Sequence, residues 1–286
     1  MKNTTTNTPE WAKRTERALP KVPMPRLSSL DTKALDNQRR LAFALVIRPV
    51  LALAGFVAAA AAGWWPVAIV LTWLIYGSTL TAVHHLIHSS LGFSATTRHF
   101  LLSALGCLVG ESGHALQATH LTHHRAGDDL PDPEGYIENL TWAQMPIGAL
   151  KFRYRLMAWG WNHSPRRTTI GLEVAIHSAL HLASLASLAT GSPTLWIYLS
   201  LIHFASFTFA VLAGKGPQTN YGRSIDTPFV RVSTRLGRVL FFSHDKHLEH
   251  HAYPKVPLPR LHLLQDEIDA ALAAAQTPVF DVRMPI

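Results

Sequence analysis

Four long apolar runs constrain this chain more than any other feature. They cover residues 41–63, 64–83, 171–190 and 194–214, each close to the roughly 20 helical residues that cross a hydrocarbon layer of about 30 Å. Inside such a layer every backbone N–H and C=O needs a partner within the protein, so runs of this kind are expected as helices. Arg48 lies near the start of the first run, where its side chain can reach back to the headgroups. The turns at Gly63 and at Gly191-Ser192-Pro193 are very short and uncharged. The runs therefore pair into two tight antiparallel hairpins. Only 15% of the residues are charged and the mean hydropathy is +0.12, a balance shifted toward membrane proteins.

The basic residues set an expected orientation. Arg39 and Arg40 precede the first run; Lys151, Arg153, Arg155, Arg166 and Arg167 lie between the second and third; Lys215 and Arg223 follow the fourth. The hairpin tips carry none, so the positive-inside rule puts both termini and the central segment in the cytoplasm. The same distribution accounts for a net charge of +8 and a pI near 9.9 without nucleic acid. Residues 1–40 are polar and basic, with no apolar stretch of the signal-peptide kind, and read as a disordered cytoplasmic tail. The expected fold is an all-α integral membrane domain over 41–286, with four transmembrane helices in two hairpins and a cytoplasmic helical cap from 84–170 and 215–286. Within that cap, 101–109 is apolar but too short to span, and Gly110 and Gly113 follow it, so it should return to the side it left. Residues 140–161 mix Trp142, Phe152, Tyr154, Trp159 and Trp161 with basic side chains, as a helix lying in the membrane interface would. Helical spacing of apolar residues over 261–274 predicts a closing amphipathic helix.

The chain holds 17 histidines, and their spacing repeats. HHLIH begins at His84, HLTHH at His120 and HLEHH at His247. Residues three and four apart share a helix face, with about 5–6 Å between their Cβ atoms. His84 and His88 thus converge, as do His120, His123 and His124, and His247, His250 and His251. Neutral imidazole suits iron, zinc, copper or nickel, and this set exceeds the four ligands of one tetrahedral zinc. Two metals sharing it is the simplest count. A helix from Trp64 to His88 would be about 37 Å long, so the first cluster should project just beyond the bilayer. No crossing separates the first cluster from the second, and two separate the second from the third, so all three are expected on one cytoplasmic face. His85 and His244, each three residues before a boxed histidine, can substitute for a ligand or act behind one. The single Cys107 excludes an internal disulfide and a cysteine-built metal site.

The three boxes, HxxxH, HxxHH and HxxHH, resemble those of the membrane fatty-acid desaturase and hydroxylase superfamily. The third continues HLEHHAYPKVP, similar to the family ending HxxHHxxPxxP. The resemblance covers 64–264. It implies a di-iron centre, dioxygen as co-substrate, and oxidation of an unactivated C–H bond in a lipid chain. Carried over box by box, the implied iron ligands are His84, His88, His120, His123, His124, His247, His250 and His251. Family members often add one more histidine or a water-linked asparagine after the fourth span; here Asn220 lies in that region, and His203 sits nearer mid-span. Desaturation removes two hydrogens and gives an alkene, whereas hydroxylation adds oxygen. The box resemblance favours a fatty-acyl desaturase. No dinucleotide fingerprint, haem or flavin domain is visible, so electrons must come from outside, and the basic face suits an acidic ferredoxin-type donor.

RAGDDLPDPEG, after the second box, contributes Asp128, Asp129, Asp132 and Glu134. These carboxylates can orient imidazoles or dock a donor; an acidic proline turn on the surface is the plainer reading. Its DPE element is also similar to carotenoid ketolases and hydroxylases of the same superfamily, which makes a carotenoid ring the alternative substrate. His114, before the second box, is expected to support the ligands from behind. His177 and His181, spaced i and i+4 within the third run, can line a substrate cavity or join helices by hydrogen bonds. A metal transporter is the rival reading from another class, but transporters bind near the bilayer midplane and the boxes fall past the membrane ends. A membrane zinc protease would carry HExxH, which is absent.

Overall fold

The computed structural model describes residues 25–27, 38–125, 132–137, 140–211, 229–233, 247–276 and 279–283. Helix α1 (Gln38–Ala61) and helix α2 (Trp65–Ile87) form the first hairpin, and α6 (Arg167–Ala189) and α7 (Thr194–Phe209) the second. Between them lie α3 (Ala95–Leu108), α4 (Gly113–Arg125) and α5 (Met145–His163). After α7 come strand β1 (Phe229–Ser233), the short helix α8 (His247–Ala252), a 3-10 helix (Leu258–Leu264), α9 (Gln265–Ala274) and strand β2 (Val279–Arg283).

Both hairpin tips close by the same device. Gly63 has φ +72° and Gly191 φ +79°, a left-handed conformation that glycine adopts without a Cβ penalty. Gly63 N donates to Ala60 O at 3.1 Å and Trp64 N to Ala59 O at 2.8 Å; Gly191 N donates to Leu188 O at 3.1 Å and Ser192 N to Ser187 O at 2.8 Å. This paired bonding satisfies the carbonyls left over at a helix end. Pro66, in the first turn of α2, costs nothing there because that N–H has no helical partner in any case.

α1, α2 and α6 are each long and apolar enough to cross a membrane. The fourth expected span is described only in part. α7 has 16 residues, about 24 Å at 1.5 Å per residue, short of the roughly 30 Å of hydrocarbon. A single π turn extends it through residue 211, and 212–214 lie outside the described residues. The 101–109 run sits in α3, whose 14 residues reach only about 21 Å. Ser94 caps α3 by accepting from Thr97 N at 3.2 Å. The chain then turns at Gly110 and approaches α3 so closely that a Cβ on Gly113 would collide with the Leu102 carbonyl.

α2 is the central post. Phe56 of α1, Ile75 of α2 and Tyr198, Leu199 and Ile202 of α7 form one buried cluster. Ala42 and Leu45 of α1, Ala82, Val83 and Leu86 of α2, and Leu102 and Leu105 of α3 form another. Large apolar side chains face outward along the long helices, among them Leu51, Val57, Val70, Leu172, Leu182 and Leu185, as a lipid-facing surface requires. α5 likewise exposes Ile147, Leu150, Tyr154 and Trp161 while burying Leu156 and Trp159.

The closing segment, expected as one helix over 261–274, divides into the 3-10 helix and α9. Tyr253, Val256, Leu258, Leu261, Leu264, Ile268 and Leu272 form its core, and Leu27 packs against them. The Tyr253 hydroxyl donates to Pro25 O at 2.9 Å. Of the segment read as a tail, only 25–27 and 38–40 are described, and 25–27 lie against this core. The architecture is helical as expected, with one addition. β1 and β2 pair in parallel, Phe229 opposite Val279 through Ser233 opposite Arg283. FVRVS and VFDVR each carry the apolar alternation of a strand, but five residues are too few to stand out beside long apolar helices.

Candidate metal centre

Where α2 ends, the histidines of three separate segments meet. His84 lies in its last turn and His88 caps it, with His88 N donating to His84 O at 3.2 Å. His120 and His124 come from α4 and His250 from α8. One ring nitrogen from each of His84, His88, His120, His124 and His250 lies within 4.8 Å of all the others, a group able to hold a metal ion. His88 Nε2 stands 2.9 Å from His120 Nε2, His120 Nε2 3.1 Å from His124 Nε2, and His124 Nε2 3.0 Å from His250 Nε2. Nitrogen lone pairs converge this way around a shared cation.

His123 and His251 adjoin this group. The His251 ring stacks on His124 at 4.2 Å between centroids and meets His123 edge-on at 5.0 Å. His247 opens α8, but its side chain lies outside the described residues, as do His244, Asn220, Asp128 and Asp129. His85 is buried on the same turn as His84 and is not in the five-nitrogen group; its Nδ1 meets Ser90 Oγ at 2.9 Å.

Two carboxylates fix the rings from behind. His120 Nδ1 donates to Glu134 Oε2 at 3.0 Å, and His123 Nδ1 to Asp132 Oδ2 at 2.9 Å. Asp132 is buried and its Oδ1 also accepts from the backbone N–H of Glu134 and of Gly135, each at 3.0 Å. The surface-turn reading of this loop is therefore corrected for Asp132 and Glu134: both point inward because the imidazoles offer them donors. With Nδ1 occupied as a donor, Nε2 is the nitrogen left with a lone pair. Burial, and then the neighbouring His120, His85 and His123 rings, push the His88 imidazole down to about 3. A ring so placed is neutral and ready to ligate. Burial opposes ionisation of Glu134, but the His120 and His123 imidazoles outweigh it and hold its carboxyl below the usual value.

His114 takes a different place from the one expected. It is buried and faces Glu173 of α6, its Nδ1 2.7 Å from Oε1, and among the described residues none of its bonds goes to a boxed histidine. Ser103 and Ser112 each donate to the same carboxylate at 2.5 Å. On its other side His114 Nε2 lies 3.0 Å from His99 Nδ1, and His99 Nε2 lies 2.9 Å from the exposed Arg166. Glu111 is a second buried carboxylate, accepting from Tyr76 and Ser206 hydroxyls at 3.1 Å each. Neither acid belongs to a motif. The available signal is simpler: an ionisable residue within or beside an apolar run is costly unless it is partnered.

A family model for fatty acid desaturases matches residues 59–283. The chain belongs to the fatty acid desaturase family. No curated protein matches it. Membership makes the chain an oxidoreductase and agrees with the three long apolar helices among the described residues in pointing to a membrane protein. The matched region contains every box and both carboxylates that orient them.

Proposed function

We propose that this protein is a dioxygen-dependent di-iron oxidoreductase acting on unactivated C–H bonds of a lipid, most specifically a fatty-acyl desaturase. One observation carries the reading: ring nitrogens of His84, His88, His120, His124 and His250 converge within 4.8 Å. The donor set suits the group. Neutral imidazoles oriented by carboxylates at Nδ1 match the way histidine ligands are commonly held to a borderline metal. His84, His88, His120, His123, His124, His247, His250 and His251 would hold two iron ions, which when bound supply the capacity to activate dioxygen and remove hydrogen from a methylene.

The rest is done by the chain. The Val83, Leu86 and Leu102 core of α2 and α3, with Leu116 and Leu121 of α4 packed against it, fixes the turns that bear these histidines. Asp132 and Glu134 keep His123 and His120 in one tautomer. The outward apolar faces of α1, α2 and α6 support a centre beside lipid, and the basic residues flanking the apolar runs support a cytoplasmic side for both termini and the centre. Exposed Lys151, Arg166 and Arg167 suit an acidic ferredoxin-type electron donor, whose rate of association should fall as salt rises. The Asp132-Pro133-Glu134 element, bonded to two boxed histidines, favours one second reading, a carotenoid hydroxylase or ketolase. A transporter fits less well, because the box imidazoles gather at the end of α2 and not along its middle.

Expression in a host that makes both ordinary lipids and carotenoids, followed by mass spectrometry of each pool, tests the reading. Acyl chains lacking two hydrogens are the expected result. Added oxygen on a carotenoid ring with unchanged acyl chains would transfer the assignment to the second reading. Full turnover by a folded chain stripped of metal would overturn both.

A further inference from the structure

The third box sits on the shortest of the three box-bearing helices. α8 has six residues, too few to hold a helix in water unaided. Its backbone neighbours are chiefly β1, the 3-10 helix and α9. Toward α2 and α4 it offers imidazoles. His250 Nε2 stands 3.0 Å from His124 Nε2, the His250 ring lies 4.2 Å from that of His84 between centroids, and His251 stacks on His124. Ring contacts alone contribute modestly. A metal shared between these rings would join the segments far more firmly. Until one binds, α8 needs another tether.

The N-terminal segment supplies one. The closing core around Tyr253, Leu261 and Ile268 packs mostly its own side chains together; among the described residues, the apolar side chain that joins it from outside 252–272 is Leu27. Two positions earlier, the Pro25 carbonyl accepts from the Tyr253 hydroxyl at 2.9 Å, across 228 residues of sequence. Tyr253 is buried, and its backbone N–H donates to Glu249 O at 3.0 Å, in the turn that ends α8. It is the second residue after His251, so what holds its ring holds the last turn of the third box. In the other direction the segment leads into the membrane domain: ten residues, 28–37, join Leu27 to α1.

We propose that residues 25–27 act as a strap that holds α8 at the box centre in the metal-free chain, and that docking of this strap and metal binding strengthen each other. Leu27 and Tyr253 are thereby positioning residues: neither belongs to a box, and both act through His250 and His251. When only a fraction of chains has α8 docked, the apparent metal affinity falls by that fraction, while the filled site is the same. Linkage makes the effect reciprocal, so bound metal tightens the strap by the factor by which the strap tightens metal. The proposal rests on the boxes binding metal and holds for any metal they take.

The test is an anaerobic iron(II) titration of the full metal-free chain in detergent, against a competing chelator. Leu27→Ser removes the apolar anchor and should weaken iron binding about tenfold, with the iron count at saturation unchanged. Tyr253→Phe keeps the ring and loses one hydrogen bond; it should weaken binding about fivefold, and it decides alone should Leu27→Ser not fold. Leu27→Met should restore wild-type affinity. In the reverse direction, trypsin cleavage after the exposed Arg26 should slow in wild type when iron(II) binds. Wild-type affinity in the folded variants would overturn the strap, as would cleavage at an unchanged rate. So would a lower iron count at saturation in a monodisperse, helical variant, because the segment would then build the site and not hold it ready. A wild-type chain that takes up no iron(II) would instead overturn the metal centre, and the strap's coupling with it.

Discussion

The box centre and the Glu173 network are both buried, both built on histidine, and both fed by α4, yet they are made for different work. At the box centre imidazoles face imidazoles, with carboxylates behind them at His120 and His123. At Glu173 the order is reversed: one carboxylate sits in the middle and gathers His114, Ser103 and Ser112 as donors. The first arrangement leaves lone pairs converging and is complete only with a cation. The second satisfies itself. It joins α3, α4 and α6 and needs no ligand, so the first region should govern activity and the second stability.

Breaking either region alone tests that division. His124→Ala removes a nitrogen that faces both His120 and His250; bound iron and turnover should both fall to background while the helical content stays. Metal analysis and a lipid product assay on the same sample check it. Glu173→Ala should do the opposite. It strands the buried His114 imidazole and Ser112 hydroxyl and the half-buried Ser103 hydroxyl, and leaving a buried hydrogen-bonding group without its partner costs about 1–3 kcal/mol. Denaturant unfolding in detergent should show that loss, with iron per folded chain unchanged.

Smaller changes sharpen the contrast. Asp132→Asn keeps the shape of the side chain but weakens its hold on His123; altering such a partner typically costs about 10–100-fold in metal affinity or activity. An iron titration should show that change with little shift in unfolding. Gly191→Ala, at the tip of α6–α7, forces a Cβ into φ +79° and should cost about 1–2 kcal/mol. Its effect belongs to unfolding alone, and altered product ratios would mean that the hairpin tip communicates with the centre.

What could be read from the sequence follows from how each feature is encoded. α1, α2 and α6 fall within a few residues of their apolar runs because crossing a membrane requires contiguous apolar sequence. The boxes are legible because side chains that converge from one helix face must recur at three and four residues. Asp132 and Glu134 are half legible: their proximity to the second box is visible, but their inward direction depends on where α4 places His123 and His120. Glu173 and Glu111 reach their partners only through helix packing. Nothing local in the sequence announces that. α7 follows its apolar run from Thr194 through residue 211, as far as the described residues go.

The contact between His124 and His250 joins positions 126 residues apart in sequence. Protein synthesis runs from the N-terminus, so both hairpins are translated before the last ring can arrive. A nascent or truncated chain therefore carries an open, incomplete donor set. Order of manufacture itself thus withholds the complete set of converging imidazoles until the polypeptide around it is finished.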